Sequence, residues 1–333
     1  VPELRIIDFG RVSALRSQTL WHALAYGVSA GGPPTLSFMR PSRPYVGVGY
    51  HRRLEEADLG ACRDGGLPVF RRMVGGGVVY LDEHQQFFQI CLPANGVPRS
   101  REVALRTLLA PAVAAFRAAG VPAELDGDLE IVVGEAKVCG HGAAQIDDAV
   151  VVVGNLIERF DHAAAAGVLA LPEEARGEVV RLMQRFVAAT PADAATFREA
   201  GIAAYAEALQ LDPVTGGLSA YERERLLEVD GRFRSPAWLR GPDRPDPKCT
   251  QVKVRAGVFV VCTEHEAARA VATVLGGRIE TARVSDPELN GDRAVVEDKL
   301  AGVHLTEVGD VLEGFGAPGR RLTAALAKAR LVA

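Results

Sequence analysis

Three consecutive glycines, Gly75 to Gly77, interrupt the stretch RRMVGGGVVYLD between Arg71 and Asp82, and the chain returns at once to β-branched and aromatic residues. Glycine gives up more conformational freedom on folding than any other residue, so a triplet set between strand formers demands a reason. Two readings satisfy it. One is a loose turn; the other is a loop whose backbone takes φ > 0 or is approached closely by something else. Two arginines precede the triplet, and a guanidinium beside a row of backbone N–H groups suits a phosphate or a carboxylate.

Around this loop the first 160 residues alternate strand and helix signals. LRIIDFG reads as a strand and SALRSQTLWHALAYGVSA as a helix with Leu15, Leu20, Leu24 and Val28 near one face. TLSFMR, YVGVGY, PVFRR, GVVYLD and QQFFQICLP read as strands. REVALRTLLAPAVAAFRAAG is helical by its spacing, and Pro111 is expected to kink it or to start its second half. LEIVV, AKVCG, GAAQI and AVVVVGNLI then read as the hairpins of a mixed or antiparallel sheet. Residues 165–230 turn helical, RGPDRPDPK (Arg240 to Lys248) reads as a linker, and strands and helices resume beyond it. The expected fold class is α/β (α+β): a large domain at 1–240, a linker at 241–248 and a small α+β module at 249–333.

Composition excludes several functions. With 333 residues, 48% hydrophobic and 24% charged, the chain is long enough for more than one domain, and its net charge of −4 offers no bulk attraction to nucleic acid. No apolar run is long enough to span a membrane and no leader pattern is present, so a cytoplasmic protein that works neither on nucleic acid nor in a membrane is expected. Five scattered cysteines form no CxxC pair, and the seven histidines show no metal-ligand spacing. The Walker loop, the GxGxxG dinucleotide fingerprint and the GxSxG elbow are absent.

The remaining chemistry lies in RRMVGGG and, further along, in GDLEIVVGEAKVCGHG. A lysine on a hairpin facing the glycine loop would add a compact positive charge, and the two together could stabilise charge developing on an acyl phosphate. Taken alone, Lys137 reads first as a solvated surface residue.

Both stretches resemble lipoate–protein ligases, in the wider group of biotin/lipoate ligases and octanoyltransferases. PYVGVGYHRRLEEADLGACRDGGLPVFRRMVGGGVVYLDEHQQ is similar to the segment that leads into their RRx[ST]GGGxVYHDxGN. GDLEIVVGEAKVCGHGAAQ is similar to NDLxxxGKKISGxAQ, and VDGRFRSPAWLRGP to FxSxEWxxG. The resemblance implies a large domain with a mixed, bent β-sheet flanked by helices and a small C-terminal accessory domain that acts as a moving lid. It implies an ATP- and Mg²⁺-dependent ligase that activates lipoate or octanoate to the acyl-AMP and passes the acyl group to a lysine of a lipoyl domain or an H-protein-like acceptor. Carried across by position, Lys137 is the catalytic residue touching the acyl carbonyl and α-phosphate. Arg72, Gly75, Gly76, Gly77, Val79, Tyr80, Asp82 and Gly140 line the substrate and nucleotide. Asp128 stands for the aspartate of the ND pair, near the adenylate and Mg²⁺.

Departures from the pattern are Val74 for Ser or Thr, Leu81 for His, and Gly127 for Asn. The alternatives are an octanoyltransferase working through a cysteine thioester without ATP, and a non-catalytic lipoyl-binding homologue. Neither VPAELDGD nor DDAVVVVGNLIERF holds the cysteine a transferase of this group would use, and Cys139, two residues beyond Lys137, is expected to be a packing residue. A biotin ligase is disfavoured because its GRGRxxR loop is missing.

Overall fold

The structure, a computed structural model, describes residues 2–242, 248–289 and 291–329. The chain divides into two compact units: one runs to Val168 and resumes over Ala188–Pro242, and the other joins Leu169–Val187 to the chain beyond the linker. A contiguous large domain at 1–240 is therefore not what the contacts give, because one internal helix packs with the C-terminal unit. Of the expected linker, 243–247 lie outside the described residues.

In the first unit, β1 (Glu3–Val12) leads into α1 (Ala14–Ser29), started by the Ser13 side chain accepting from the Arg16 N–H. Then come β2 (Thr35–Pro41), β3 (Tyr45–Val48), α2 (Leu59–Asp64), β4 (Val69–Arg71), β5 (Val78–Leu81) and β6 (Gln85–Pro93). Helix α3 (Arg101–Ala118) runs as one element through Pro111, so the proline does not start a second helix. A short strand not expected from the sequence, β7 (Glu124–Leu125), precedes the expected hairpins, β8 (Ile131–Val133), β9 (Ala136–Lys137), β10 (His141–Ile146) and β11 (Ala149–Ile157). After α4 (His162–Gly167) the chain passes through the second unit as α5 (Glu173–Phe186), then returns for α6 (Ala194–Leu209), β12 (Asp212–Thr215), α7 (Ala220–Arg234) and α8 (Pro236–Arg240).

Among the described strands, six form a mixed sheet in the order β10-β11-β6-β2-β1-β12, parallel at the β2-β1-β12 side and antiparallel elsewhere. Alternation along β11 explains its two-sided burial: Val152 and Leu156 join the core with α3 and α6, whereas Val151 joins the core with α1. Helix α1 is buried nearly all round. Leu24 and Val28 face the sheet, Leu20 packs with Leu226, and Leu15 with Val229 and Phe233 of α7, so the single apolar face expected from the sequence is instead three. Two small sheets, β4-β3-β5 and β7-β8-β9, stand beside the large one and carry the glycine loop and the Lys137 hairpin.

The second unit is an antiparallel meander of β13 (Cys249–Arg255), β14 (Val258–His265), β15 (Ala268–Leu275) and β16 (Arg278–Ser285). Phe259 and Val261 face a core shared with α9 (Arg293–Leu300), α10 (Val308–Leu312) and α11 (Gly316–Leu326). Helix α5 packs on β13, β14 and β15 with Ala175, Val179, Leu182 and Phe186 buried. Its Arg181 and Arg185 pair with Glu280 of β16 at 2.6 and 3.3 Å. Among the described residues no helix is long and apolar enough to cross a membrane.

Candidate functional site

The glycine triplet joins β4 to β5. Gly76 has φ +91°, a conformation that L side chains rarely adopt, and its carbonyl is so close to Gly49 that a Cβ there would sit 2.0 Å from it. A Cβ on Gly75 or Gly77 would meet nothing within 4 Å. The loop therefore needs one glycine for its backbone and keeps open space above the other two.

Both preceding arginines are buried and act as scaffolding. Arg71 donates to the carbonyls of Gly49, Tyr50 and Arg52 and to those of Trp238, Leu239 and Arg240, and so ties α8 to the segment after β3. Arg72 donates from Nη1 to Gly47 O at 2.9 Å and from Nη2 to the carbonyls of Gly75 and Gly77 at 2.9 and 3.0 Å. Burial lowers its pKa to about 10, still well above neutrality. Both terminal nitrogens of Arg72 are committed to carbonyls, so Arg72 shapes the loop instead of standing free as a phosphate clamp. Val74 turns into the core beside α1 and lies 3.4 Å from where a Cβ of Gly142 would be, which seats the loop against β10.

Lys137 ends the two-residue strand β9, opposite Val132 of β8. Its Nζ lies 3.0 Å from Glu130 Oε1, and its carbonyl accepts from the N–H of Ala188, the residue at which the chain re-enters the first unit. Asp128, which the resemblance places near the adenylate and Mg²⁺, is exposed in the turn before β8, with its N–H on Asp126 Oδ1. The acidic partner is Glu130, which the sequence reading missed. No local signal marked it: Glu130 lies seven residues before Lys137, and the β8–β9 hairpin brings the two side chains to 3.0 Å.

Gly140 and Asp82 are linked by a buried relay that the sequence reading also missed. The Gly140 N–H donates to Asn155 Oδ1 at 2.6 Å, and Asn155 Nδ2 to Gln85 Oε1 at 2.8 Å. Gln85 Nε2 lies 3.4 Å from Asp82 Oδ1, which also accepts the His84 N–H at 3.0 Å. Burial raises the pKa of Asp82, its hydrogen bonds only partly opposing this. Val79 lies opposite Gly47 in β5, and burial, reinforced by Asp82, pushes the neighbouring Tyr80 up to about 12.

Cys139 lies in the main core with no exposure, its Sγ 3.2 Å from where a Cβ of Gly154 would be. Burial pushes the thiol up to about 12, so it is not a thiolate at neutral pH. Cys62 and Cys91 are buried on α2 and β6, and Cys249 and Cys262 belong to the second unit. Among the described residues no group of three or more His, Cys, Asp or Glu side chains could hold a metal ion. Asp128 alone does not make a Mg²⁺ site.

Residues 14–191, more than half of the chain, match the lipoyl protein ligase A/B catalytic domain. Among similar proteins, octanoyltransferase LipM of Moorella thermoacetica is 27% identical over 62% of this chain and 86% of its own length. LipM of Symbiobacterium thermophilum is 28% identical over 70% and 97%. Lipoate-protein ligase A subunit 1 of Thermoplasma acidophilum is 24% identical over 69% and 92%. A solved bipartite lipoate protein ligase from that archaeon superposes with a TM-score of 0.64 at 24% identity, over 74% of this chain and 99% of the other. The chain belongs to the lipoyl protein ligase A/B family, the enzymes of lipoate ligation and octanoyl transfer.

Proposed function

We propose that this chain is an ATP-dependent lipoate–protein ligase that activates lipoate or octanoate and passes the acyl group to a lysine of a lipoyl domain or H-protein-like acceptor. The observation that carries this reading is the state of Cys139: the cysteine nearest Lys137 in sequence is wholly buried, with its thiol pushed up to about 12. A covalent route needs an activated thiol at the reacting carbon, whereas an adenylate route needs only electrostatic stabilisation. The substrate carboxylate attacks the α-phosphorus and pyrophosphate leaves; the acceptor amine then attacks the acyl carbonyl and AMP leaves. Lys137 stabilises the negative charge on the carbonyl and phosphate oxygens, and Gly75 and Gly77 leave room for them. Mg²⁺ would arrive chelated to the ATP phosphates.

The test is pyrophosphate release from ATP on addition of octanoate or lipoate, followed by acylation of an acceptor domain. Lys137→Ala is expected to raise the activation barrier by roughly 3–4 kcal/mol and abolish both steps. The likeness to proteins named octanoyltransferase favours one rival. Octanoyl transfer from an acyl carrier protein without ATP, with a thioester found on any cysteine of this chain by mass spectrometry, would establish that rival instead.

A further inference from the structure

Lys137 does not meet a ligand as a bare cation. Its ammonium is paired with Glu130 at 3.0 Å, and the two side chains are only 19% and 6% exposed, so bulk water screens the pair less than an ordinary surface ion pair. The backbone sets both ends in advance. The Glu130 N–H donates to Asp126 Oδ1 at 2.9 Å and its carbonyl accepts from the Asp126 N–H at 3.0 Å, while β8–β9 pairing holds Lys137 opposite Val132. A tight turn and a two-residue strand thus carry the two charges as one unit.

An anion that reaches Lys137 therefore finds a carboxylate already there. Like charges on one ammonium repel, and weakening the ion pair of a buried carboxylate is disfavoured. We propose that Glu130 is a resident counter-anion that positions Lys137 and sets which anions can take it. A lone carboxylate offers too little to draw Lys137 away. An acyl phosphate spreads its charge over several oxygens and can also reach the open space over Gly75 and Gly77, so it shares or takes the ammonium. Glu130 thereby reserves Lys137 for the phosphate-bearing, activated form of the substrate. This inference rests on reading Lys137 as the anion-binding group of the site.

Calorimetry with octanoate and its uncharged analogue octanamide reads the effect directly. Glu130→Gln keeps the side-chain shape and removes the charge; it is expected to tighten octanoate binding by about fivefold or more and to leave octanamide within about twofold. The gain should vanish when Lys137→Met is added, and Glu130→Asp, which restores the charge, should return octanoate affinity toward the parent value. Weaker or unchanged octanoate binding in folded Glu130→Gln, relative to octanamide, would overturn the inference. Titration with inorganic pyrophosphate separates it from the functional reading. Tighter pyrophosphate binding in Glu130→Gln, with neither octanoyl compound bound by any variant, would remove the acyl substrate and keep the counter-anion. Pyrophosphate and octanoate affinities both unchanged by Glu130→Gln would remove the counter-anion itself.

Discussion

The three glycines differ in what holds them. Gly76 is required by its own φ of +91°, so Gly76→Ala should cost roughly 1 kcal/mol of stability or more, read as a lower melting temperature. Gly77 has open space where a Cβ would be, so Gly77→Ala should leave the melting temperature nearly unchanged while weakening octanoate binding. Equal losses of stability in both variants would show that the triplet serves only the backbone. His22 predicts a pH effect. Burial, with the Arg232 charge adding to it, lowers its pKa to about 3 from 6.5, although its Nδ1 is 2.6 Å from the Gln18 carbonyl; Nε2 has no hydrogen-bond partner among the described residues. Between pH 6.5 and about 3 the unfolded chain binds a proton that the folded chain refuses, so stability is full above 6.5 and falls as the pH drops through that window. The slope from this residue approaches about 1.4 kcal/mol per pH unit, and His22→Phe should flatten it in urea unfolding at pH 7 and pH 5.

At the level of elements, the glycine loop and the Lys137 hairpin were legible because their signals are local: β-branched runs, Gly-rich connections and alternating burial. What they touch was not. Arg72 and Gly140 were expected to face ligand, yet Arg72 donates to carbonyls of its own loop and the Gly140 N–H is taken by Asn155, because buried polar groups must find partners wherever the fold supplies them. The Ala188 N–H to Lys137 carbonyl bond, at 2.9 Å, ties the returning chain to the Lys137 strand. Ala188→Pro removes that donor and should cost on the order of 1–2 kcal/mol and slow pyrophosphate release more than it raises KM. An unchanged rate constant would show that the strand needs no support from this segment. Helix α3 carries the opposite lesson: it continues through Pro111, which is buried against the main core, so packing outweighed local propensity.

For the whole molecule, the decisive fact is that the C-terminal unit is assembled from two pieces of chain. A protein ending at residue 242 would leave α5 without the sheet that covers Ala175, Val179, Leu182 and Phe186. At about 25 cal/mol per Å² of apolar surface, a helix face of this kind is worth several kcal/mol of burial. The truncated protein should bind a hydrophobic dye and aggregate, and polar substitutions at Val179 and Leu182 should restore its solubility. A truncated protein that is monomeric and dye-negative without them would show that α5 needs no partner. If the truncated protein binds dye and aggregates, loss of activity on truncation reports misfolding and not a role of the second unit in the reaction.

The sequence by itself determined the mixed α/β class and most strands of both units, and it singled out the glycine-triplet loop and the Lys137 hairpin. These rest on patterns a few residues long, where periodicity and glycine placement act directly on the backbone. Only the tertiary structure decided that Glu130 reaches Lys137, that Cys139 is sealed in the core, and that α5 leaves the first unit for the second. Each of these depends on which surfaces meet across long sequence separations. A side chain's charge partner and burial are properties of the assembled neighbourhood, and no local pattern contains them.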